Sequence, residues 1–343
     1  MSAAARPLSA RRRSERLRLL WLCLLLVALA GALVLSVSFG TRDVGWAEIR
    51  AGVGGQLETI GQAAVAARVP RSLLAALAGA SLGLSGAVMQ GITRNPLADP
   101  GILGVNAGAS LAVVIGIAWF GMSGTPAFLW TAIAGAGVAA CFVYAVGSMG
   151  RGGATPLKLA LAGAATSIAV SSLTMAVLLP RADIAGGAKA WEVGGVGGAT
   201  FAGITPALPF LGLGMLIAFG SAKNLNMLAL GDEAAAGLGG RVARARAIAA
   251  LGAILLCGAT TAICGPIGFV GLVVPHLCRV LAGVDHRWQL PFSALSGAIL
   301  LLLADVLGRL LARPAELDVG IVTAFLGAPF FIWIIRQRRI REL

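Results

Sequence analysis

This chain of 343 residues is poor in charged side chains and has only two histidines and one tyrosine. Charged residues make up 12% of the chain, against about 25% in soluble proteins, and 58% of the residues are apolar. A protein core cannot hold that excess, so lipid must contact much of the surface. The composition therefore excludes an ordinary soluble domain and predicts an all-α integral membrane protein, in which the 48 glycines allow close helix packing.

The sequence also lacks motifs for ATP binding and for metal binding. No glycine is followed by lysine, so there is no Walker A motif and this chain does not hold a P-loop ATPase. The five cysteines lie in or beside apolar runs without a Cys-x-x-Cys pair, and two histidines are too few for a histidine-built metal site. We expect no catalytic, cofactor or metal site. The net charge of +13 is attributed to loop arginines that set membrane orientation.

Apolar runs of about one membrane thickness recur along the whole chain. Basic residues are concentrated in both tails and in one set of loops, which places both termini in the cytoplasm by the positive-inside rule. We expect a basic tail over 1–16, a ten-helix membrane domain over 17–335 and a second basic tail over 336–343. The ten predicted spans are 17–39, 72–91, 101–121, 126–148, 157–179, 203–220, 245–264, 266–283, 292–311 and 319–335.

The inner loop at about 228–241, between the sixth and seventh spans, has the pattern of a short helix. Asp232 and Glu233 fall in its first turn, where the helix dipole favours anions, and the glycines from Gly237 onward provide a stop. So short a helix needs something to pack against, and no extramembrane domain of this chain is available. The segment is either a plain interfacial loop or a contact for a cytosolic partner.

Charged residues at or inside the outer half of the membrane are the other unusual feature. Arg68, Arg71 and Arg309 lie at the outer ends of spans two and nine, against the positive-inside trend. They either reach lipid headgroups or form a basic rim for an acidic partner. Asp305 interrupts a leucine-rich run, and an intramembrane carboxylate suggests function. We favour the simpler interpretation that Asp305 is an internal strut paired with an arginine or a backbone group.

The polar turn after the second span contains Asn95 and Asp99, and by itself it need only reverse the chain. It also belongs to a longer series of motifs. These are Arg68-Val-Pro-Arg71, Ser85-Gly-Ala-Val-Met-Gln90, Asn95-Pro-Leu-Ala-Asp-Pro-Gly101, Leu225-Asn-Met-Leu-Ala-Leu-Gly231, Gly265-Pro-Ile-Gly-Phe-Val-Gly-Leu-Val-Val-Pro-His276, Asp285-His-Arg287, Ala304-Asp305 and Gly320-Ile-Val-Thr-Ala324. In this order they resemble the permease subunits of binding-protein-dependent ABC importers for ferric siderophores, haem and cobalamin. The chain departs from that pattern at Asp318, where the family usually has a proline.

The resemblance implies the type II importer fold in the bacterial plasma membrane. It implies ferric siderophore as the first expected substrate, with haem and cobalamin as alternatives. Its partners would be a second permease subunit, identical or paralogous, two cytosolic ATPase subunits that bind ATP and Mg²⁺, and an extracytoplasmic substrate-binding protein. This chain itself would hold no cofactor.

The resemblance also assigns roles to residues. Arg68, Arg71 and Arg309 would receive glutamates of the binding protein, and Thr155 and Pro156 would form a cytoplasmic gate. Spans five and ten, with help from span three, would line the pathway. The residues implied in ATPase coupling are Gly231, Asp232, Glu233, Ala234, Gly237 and Leu238.

A secondary transporter driven by protons or sodium is the alternative from another class. Asp305 would be its titrating group. The chain shows no relay of aspartate, glutamate and histidine side chains across the membrane, and its inner loop is typical of an ATPase contact. The importer is therefore the favoured interpretation, and uptake that persists without ATP would favour the alternative.

Overall fold

The computed structural model describes residues 15–101, 104–149 and 156–339. Within these ranges the regular structure is helical and contains no strand, as expected for the all-α class. The helices are α1 (Glu15–Ser38), α2 (Trp46–Val53), α3 (Ile60–Thr93), α4 (Val105–Phe120), α5 (Thr125–Ser148), α6 (Pro156–Leu178), α7 (Ala182–Val193), α8 (Phe201–Ile204), α9 (Leu208–Gly220), α10 (Ala222–Leu228), α11 (Asp232–Gly237), α12 (Val242–Cys264), α13 (Val270–Ala282), α14 (His286–Leu311) and α15 (Val319–Arg339), with a 3-10 turn, Thr205–Ala207, joining α8 to α9.

Each of the ten predicted spans corresponds to an apolar helical segment in the described part of the chain. Seven segments are long and apolar enough to cross a membrane, and one of these is the continuous stretch Phe201–Gly220. The other three are shorter apolar helices, namely α4, α13 and the first part of α15. Short helices with irregular connections are tolerated at membrane depth where protein surrounds them. The ten-helix arrangement expected from hydropathy therefore holds, with α4 and α13 shorter than the predicted spans 101–121 and 266–283.

Helix α3 occupies the centre of the bundle. It has 34 residues, which correspond to a length of about 50 Å, and it is the most buried of the seven long segments. A capping box starts it: Thr59 Oγ1 accepts the N–H of Gln62 at 3.2 Å, and Gln62 Oε1 accepts the N–H of Thr59 at 3.1 Å. By contrast, α1 is the least buried of the seven and exposes 70% of Val27, as a helix facing lipid should.

Glycines bring α3 and α14 into backbone contact. A methyl group at Gly79 would lie 2.2 Å from the carbonyl oxygen of Gly297, and one at Gly297 would lie 2.1 Å from that of Gly79. On the same helix, a methyl group at Gly86 would lie 2.1 Å from the carbonyl oxygen of Gly271 in α13. Such distances exclude any side chain, so the three helices pack as closely as small-residue interfaces in membranes allow.

The inner end of the bundle carries two short helices, α10 and α11, between α9 and α12. Helix α11 begins after Gly231, whose φ of 103° is a conformation that favours glycine. The short inner helix expected at 228–241 is therefore present. It covers six residues, fewer than an isolated helix needs for stability, so contacts with the bundle must hold it.

Candidate functional site

Four charged residues meet at the outer ends of α3 and α14. We call Arg71, Asp305, Arg309 and Glu316 the outer ion cluster. Arg71 donates to Asp305 Oδ1 from Nε at 3.0 Å and from Nη2 at 2.8 Å, while Arg309 Nη2 lies 2.9 Å from Asp305 Oδ2. Asp305 is fully buried, at 0% exposure, so these arginines compensate its charge in place of water. The geometry agrees with the interpretation of Asp305 as an internal strut.

Arg309 is bonded within the chain through all three of its guanidinium nitrogens. Nη1 donates to the carbonyl oxygens of Ser36 and Phe39 at 3.0 and 2.9 Å, and Nη2 donates to Ser36 Oγ at 2.9 Å. Nε donates more weakly, over 3.4 Å, to the carbonyl oxygen of Asp305. Because these bonds occupy the fork of donors, Arg309 fastens the end of α1 to α14, and an external carboxylate would have to displace one of them.

Arg68 holds the chain that follows α1. Its Nη1 donates to the carbonyl oxygens of Val37 and Ser38 at 3.2 and 2.9 Å, and its Nη2 donates to that of Arg42 at 2.6 Å. The backbone passes so close that a methyl group at Gly40 would lie 2.5 Å from Arg68 Nη2. Arg68 thus fixes the backbone of the connection between α1 and α2 by hydrogen bonds.

Arg71 differs from the other two because it has a partner near the surface. Its Nη1 donates to Glu316 Oε2 at 2.5 Å, and the Glu316 side chain is 38% exposed. The sequence suggested an exposed rim of three arginines. In the structure Arg68, Arg71 and Arg309 are 6%, 9% and 1% exposed, because backbone carbonyls and carboxylates of the same chain draw them inward. Their role in docking stays a prediction, and Arg71 is the member that an outside carboxylate reaches most directly.

Residues 231–238, which the resemblance assigns to ATPase coupling and which we call the coupling segment, lie at the inner end and are mostly exposed. Leu238 is 66% exposed, and Leu230, just before the helix, is 63% exposed. Glu233 is also exposed, whereas Ala235 is buried against the bundle. Two large exposed apolar side chains thus flank a short helix that carries an exposed carboxylate and buries only Ala235. This arrangement fits a surface that another protein covers.

Asp232 and Glu233 look equivalent in the sequence, but among the described contacts Asp232 alone is paired with the bundle. Asp232 Oδ1 lies 2.8 Å from Nη2 of Arg246 in α12 and 3.3 Å from Nη2 of Arg94. Arg94 is the C-cap of α3 and has a left-handed backbone conformation, with φ of 52°. Asp232 is therefore the anchor of α11, and Glu233 is the carboxylate that faces outward.

Helix α10, just before the coupling segment, is tied to the start of α14. Asn226 Nδ2 donates to Asp285 Oδ1 at 2.7 Å, and Asn226 Oδ1 accepts the backbone N–H of His286 at 2.9 Å. Asp285 also caps α14 by accepting the N–H of Arg287 at 3.0 Å. Burial alone would raise the pKa of Asp285, but the hydrogen bonds from Asn226 and Arg287 outweigh it and lower the pKa below its ordinary value.

The remaining predicted polar residues make local contacts. Asn95 Oδ1 accepts the N–H of Leu97 at 3.0 Å, and Asp99 Oδ2 accepts the N–H of Gly101 at 2.9 Å. Both are turn-stabilising bonds, in keeping with a segment that reverses the chain.

The two residues expected to form the gate are only partly covered by the structure. Thr155 lies outside the described residues, and Pro156 is the first residue of α6. The cytoplasmic gate therefore stays a prediction. The expectation that spans five and ten, with help from span three, line a pathway also stays a prediction. An apolar cavity of about 550 Å³ lies along α15, lined by Val193, Ala324 and Phe325 among others, and Phe325 is 74% exposed.

Sequence reasoning missed the partners of the two charged sites. The pairing of Arg94 and Arg246 with Asp232, and that of Glu316 with Arg71, leaves no mark in sequence spacing. One signal was available: an aspartate directly before a helix, as at Asp285, is typical of an N-cap.

Comparison with known proteins agrees with this architecture. The chain is 43% identical over 273 residues to the iron(3+)-hydroxamate import system permease protein FhuB of Bacillus subtilis (strain 168), covering 79% of this chain and 71% of that protein. It is 45% identical over 276 residues to the ferric enterobactin transport system permease protein FepD of Escherichia coli (strain K12), covering 79% of this chain and 81% of that protein.

A solved structure is similar over nearly the whole chain. It is an inward-facing conformation of a metal-chelate type ABC transporter, with a TM-score of 0.79 and 29% sequence identity, covering 93% of this chain and 99% of that chain. The FecCD transport family matches residues 24–337. Because that match includes all ten apolar segments except the first residues of α1, the chain belongs to the FecCD transport family and is a transport subunit embedded in the membrane.

Proposed function

We propose that this chain is the permease subunit of an ATP-driven, binding-protein-dependent importer that moves a ferric siderophore across the plasma membrane. The names of its relatives, a ferric hydroxamate permease and a ferric enterobactin permease, support the substrate class. The observation that carries the proposal is the exposed face of α11, where Glu233 and Leu238 are uncovered while Asp232 is anchored. A short helix presented this way suits a groove on a cytosolic ATPase.

The working complex would contain two permease subunits, identical or paralogous, and two ATPase subunits that bind ATP and Mg²⁺. A substrate-binding protein would deliver the chelate from outside. The pathway would be bordered by the fifth and tenth spans, and the apolar cavity lies on the tenth. The segment at Thr155 and Pro156 would close the pathway on the cytoplasmic side. Weak contacts along such a wall would let a bulky chelate pass without being trapped.

On the outer side, a carboxylate of the binding protein would replace Glu316 on Arg71. The exchange conserves a charge-assisted bond to the guanidinium, so it carries little electrostatic cost. Arg68 and Arg309 would then hold the surrounding backbone in place, since both are bonded to carbonyl oxygens near the end of α1. The binding protein would thus bind directly to Arg71, and Arg68 and Arg309 would keep the surrounding backbone in position.

Transport would follow alternating access. ATP closes the ATPase pair and moves α11, and the helix bundle changes from one side-open state to the other because the closed ATPase pair binds one state more tightly. This chain breaks and forms no covalent bonds. ATP hydrolysis belongs to the partner subunits.

The test is uptake by proteoliposomes that contain the permease, its ATPase and its binding protein. We expect uptake of a ⁵⁵Fe-loaded trihydroxamate that needs internal ATP and the binding protein. Glu233→Arg should abolish most of this uptake without preventing membrane insertion, whereas Glu15→Arg, at an exposed position outside the coupling segment, should leave it unchanged. Uptake driven by a proton gradient without ATP would support the secondary transporter, and uptake of haem or cobalamin in place of the trihydroxamate would correct the substrate.

A further inference from the structure

One helix joins the outer ion cluster to the coupling segment. Arg71 lies near the outer end of α3 and contacts Asp305 and Glu316, while Arg94 caps the inner end and contacts Asp232. The two arginines are about 35 Å apart along the helix at 1.5 Å per residue. The same helix therefore carries the arginine proposed to meet the binding protein and the arginine that holds the ATPase contact.

Helix α14 runs beside α3 and, like α3, has charged or polar contacts at both its outer and its inner end. Its outer part supplies Asp305 and Arg309 to the outer ion cluster, and its first residue, His286, follows the cap that is bonded to Asn226 of α10. Helix α10 leads directly into the coupling segment. Each of the two helices thus has one contact at the outer cluster and one near α11.

The two helices are also unable to slide independently. The reciprocal approach of Gly79 and Gly297 places each backbone against the other, and a methyl group at Gly83 would lie 2.3 Å from the carbonyl oxygen of Ser293. Arg71 and Asp305 join the outer ends by a buried, two-pronged ion pair. Interlocked backbones and a buried ion pair make α3 and α14 one rigid unit, since packed interfaces shift between discrete arrangements and do not deform continuously.

We propose that Arg94 and Asp232 are positioning residues that make the coupling helix α11 move with the α3–α14 unit, so that docking at Arg71 changes the state of the ATPase. The proposal rests on the proposed function. Arg246 holds Asp232 to α12, and it fixes α11 to the bundle in general. Among the ion pairs of the described residues, the Arg94–Asp232 contact is the one that joins α11 to the helix of Arg71.

Arg94→Gly is the sharpest test because its backbone is left-handed, and glycine adopts that conformation without strain. The variant removes the guanidinium and keeps the helix end intact. Arg94→Lys retains a positive charge, and Asp232→Asn removes the acceptor charge from the other side. Arg244→Ala is the matched control, since Arg244 is an exposed arginine two residues from Arg246.

The measurement is ATP hydrolysis by the assembled permease–ATPase complex in nanodiscs, with and without loaded binding protein. For Arg94→Gly we expect unchanged subunit composition and basal hydrolysis, and stimulation by the binding protein about fivefold weaker, which is the lower end of typical coupling between sites. Arg94→Lys should restore most of the stimulation. Asp232→Asn should lose at least as much stimulation as Arg94→Gly, because it also weakens the contact with Arg246. The double variant should be no worse than Asp232→Asn alone, because that change already removes the charge that Arg94 contacts.

Wild-type stimulation in Arg94→Gly, or losses that add in the double variant, would overturn the inference. Loss of the ATPase from the Arg94→Gly complex would also overturn it, since the residue would then serve assembly and not transmission. Failure of the proposed function gives a different result. In that case the wild-type complex itself would contain no ATPase or would show no stimulation by the binding protein.

Discussion

Replacing Asp305 by asparagine should destabilise the protein more than any other single change in the outer ion cluster. The substitution keeps the size of the side chain and removes its charge. Arg71 and Arg309 would then face each other across a buried site without the carboxylate that both contact, at 2.8 and 2.9 Å. Glu316 cannot take over, because it lies at the surface and contacts Arg71 alone among the described ion pairs.

The magnitude follows from burial. Asp305 is 0% exposed and Arg309 is 1% exposed, so water cannot replace the missing charge. Removing one partner of a buried ion pair costs about 3–5 kcal/mol, because the other charge is left uncompensated in the interior. A loss of this size would lower the folding equilibrium constant by a factor of about 100 or more, at 1.4 kcal/mol per factor of ten.

The assay is unfolding of the purified protein in mixed micelles at increasing SDS fraction, followed by loss of helical circular dichroism. Asp43→Asn is the matched control. Asp43 pairs with Arg313 at 3.0 Å but its side chain is 88% exposed, so its loss should cost at most about 1 kcal/mol. Equal stability of the Asp305→Asn variant and the Asp43→Asn variant would refute the argument that burial makes Asp305 a strut.

Three further predictions concern other contacts. Glu316→Gln should weaken the ion pair that Arg71 makes within the chain, so the loaded binding protein should bind more tightly in a biolayer assay. The free energy of unfolding should change by less than about 1 kcal/mol. Weaker binding would contradict the replacement of Glu316 by an outside carboxylate on Arg71. Gly297→Val should push α3 away from α14 and cost about 1–3 kcal/mol or more of stability. The control, Gly137→Val, should cost little, because no atom lies within 4 Å of the added carbon. A reversed order of stability in SDS unfolding would argue against the backbone contact. The pKa of Asp285 is lowered in the folded protein, so its ionised form stabilises the fold fully above the unfolded pKa of 3.8, and this stability is lost as the pH falls through the folded pKa. Asp285→Asn should remove this dependence of stability on acid pH. An unchanged profile of stability against pH in the variant would refute the assignment.

The ten spans were predictable because the signal for each is local. A run such as 17–39 is read directly from its hydropathy, and α1 covers nearly the same residues. The short helix α11 was predictable for a similar reason, since Asp232 and Glu233 at its start and glycines at its end are signals within one turn. Local sequence therefore indicated where each span lies, but not its exact ends: α3 begins at Ile60, whereas the predicted span begins at 72.

The charged contacts were not predictable in the same way. Arg71 and Asp305 are 234 positions apart, and their contact forms where α3 and α14 pack together, backbone against backbone at Gly79 and Gly297. The sequence made Arg68, Arg71 and Arg309 look alike, whereas backbone carbonyls near the end of α1 engage two of them and leave Arg71 to meet Glu316. Partner choice depends on three-dimensional packing, which spacing along the chain does not encode.

Native mass spectrometry of the complex, released gently from its own membranes with lipid and ligand retained, would show whether this chain works with ATPase subunits. We expect two ten-span permease subunits, at least one of them this chain, together with two ATPase subunits, and a bound iron chelate would identify the cargo. The chain appearing alone, with no ATPase under any gentle condition, would contradict the importer and return the secondary transporter as the better interpretation.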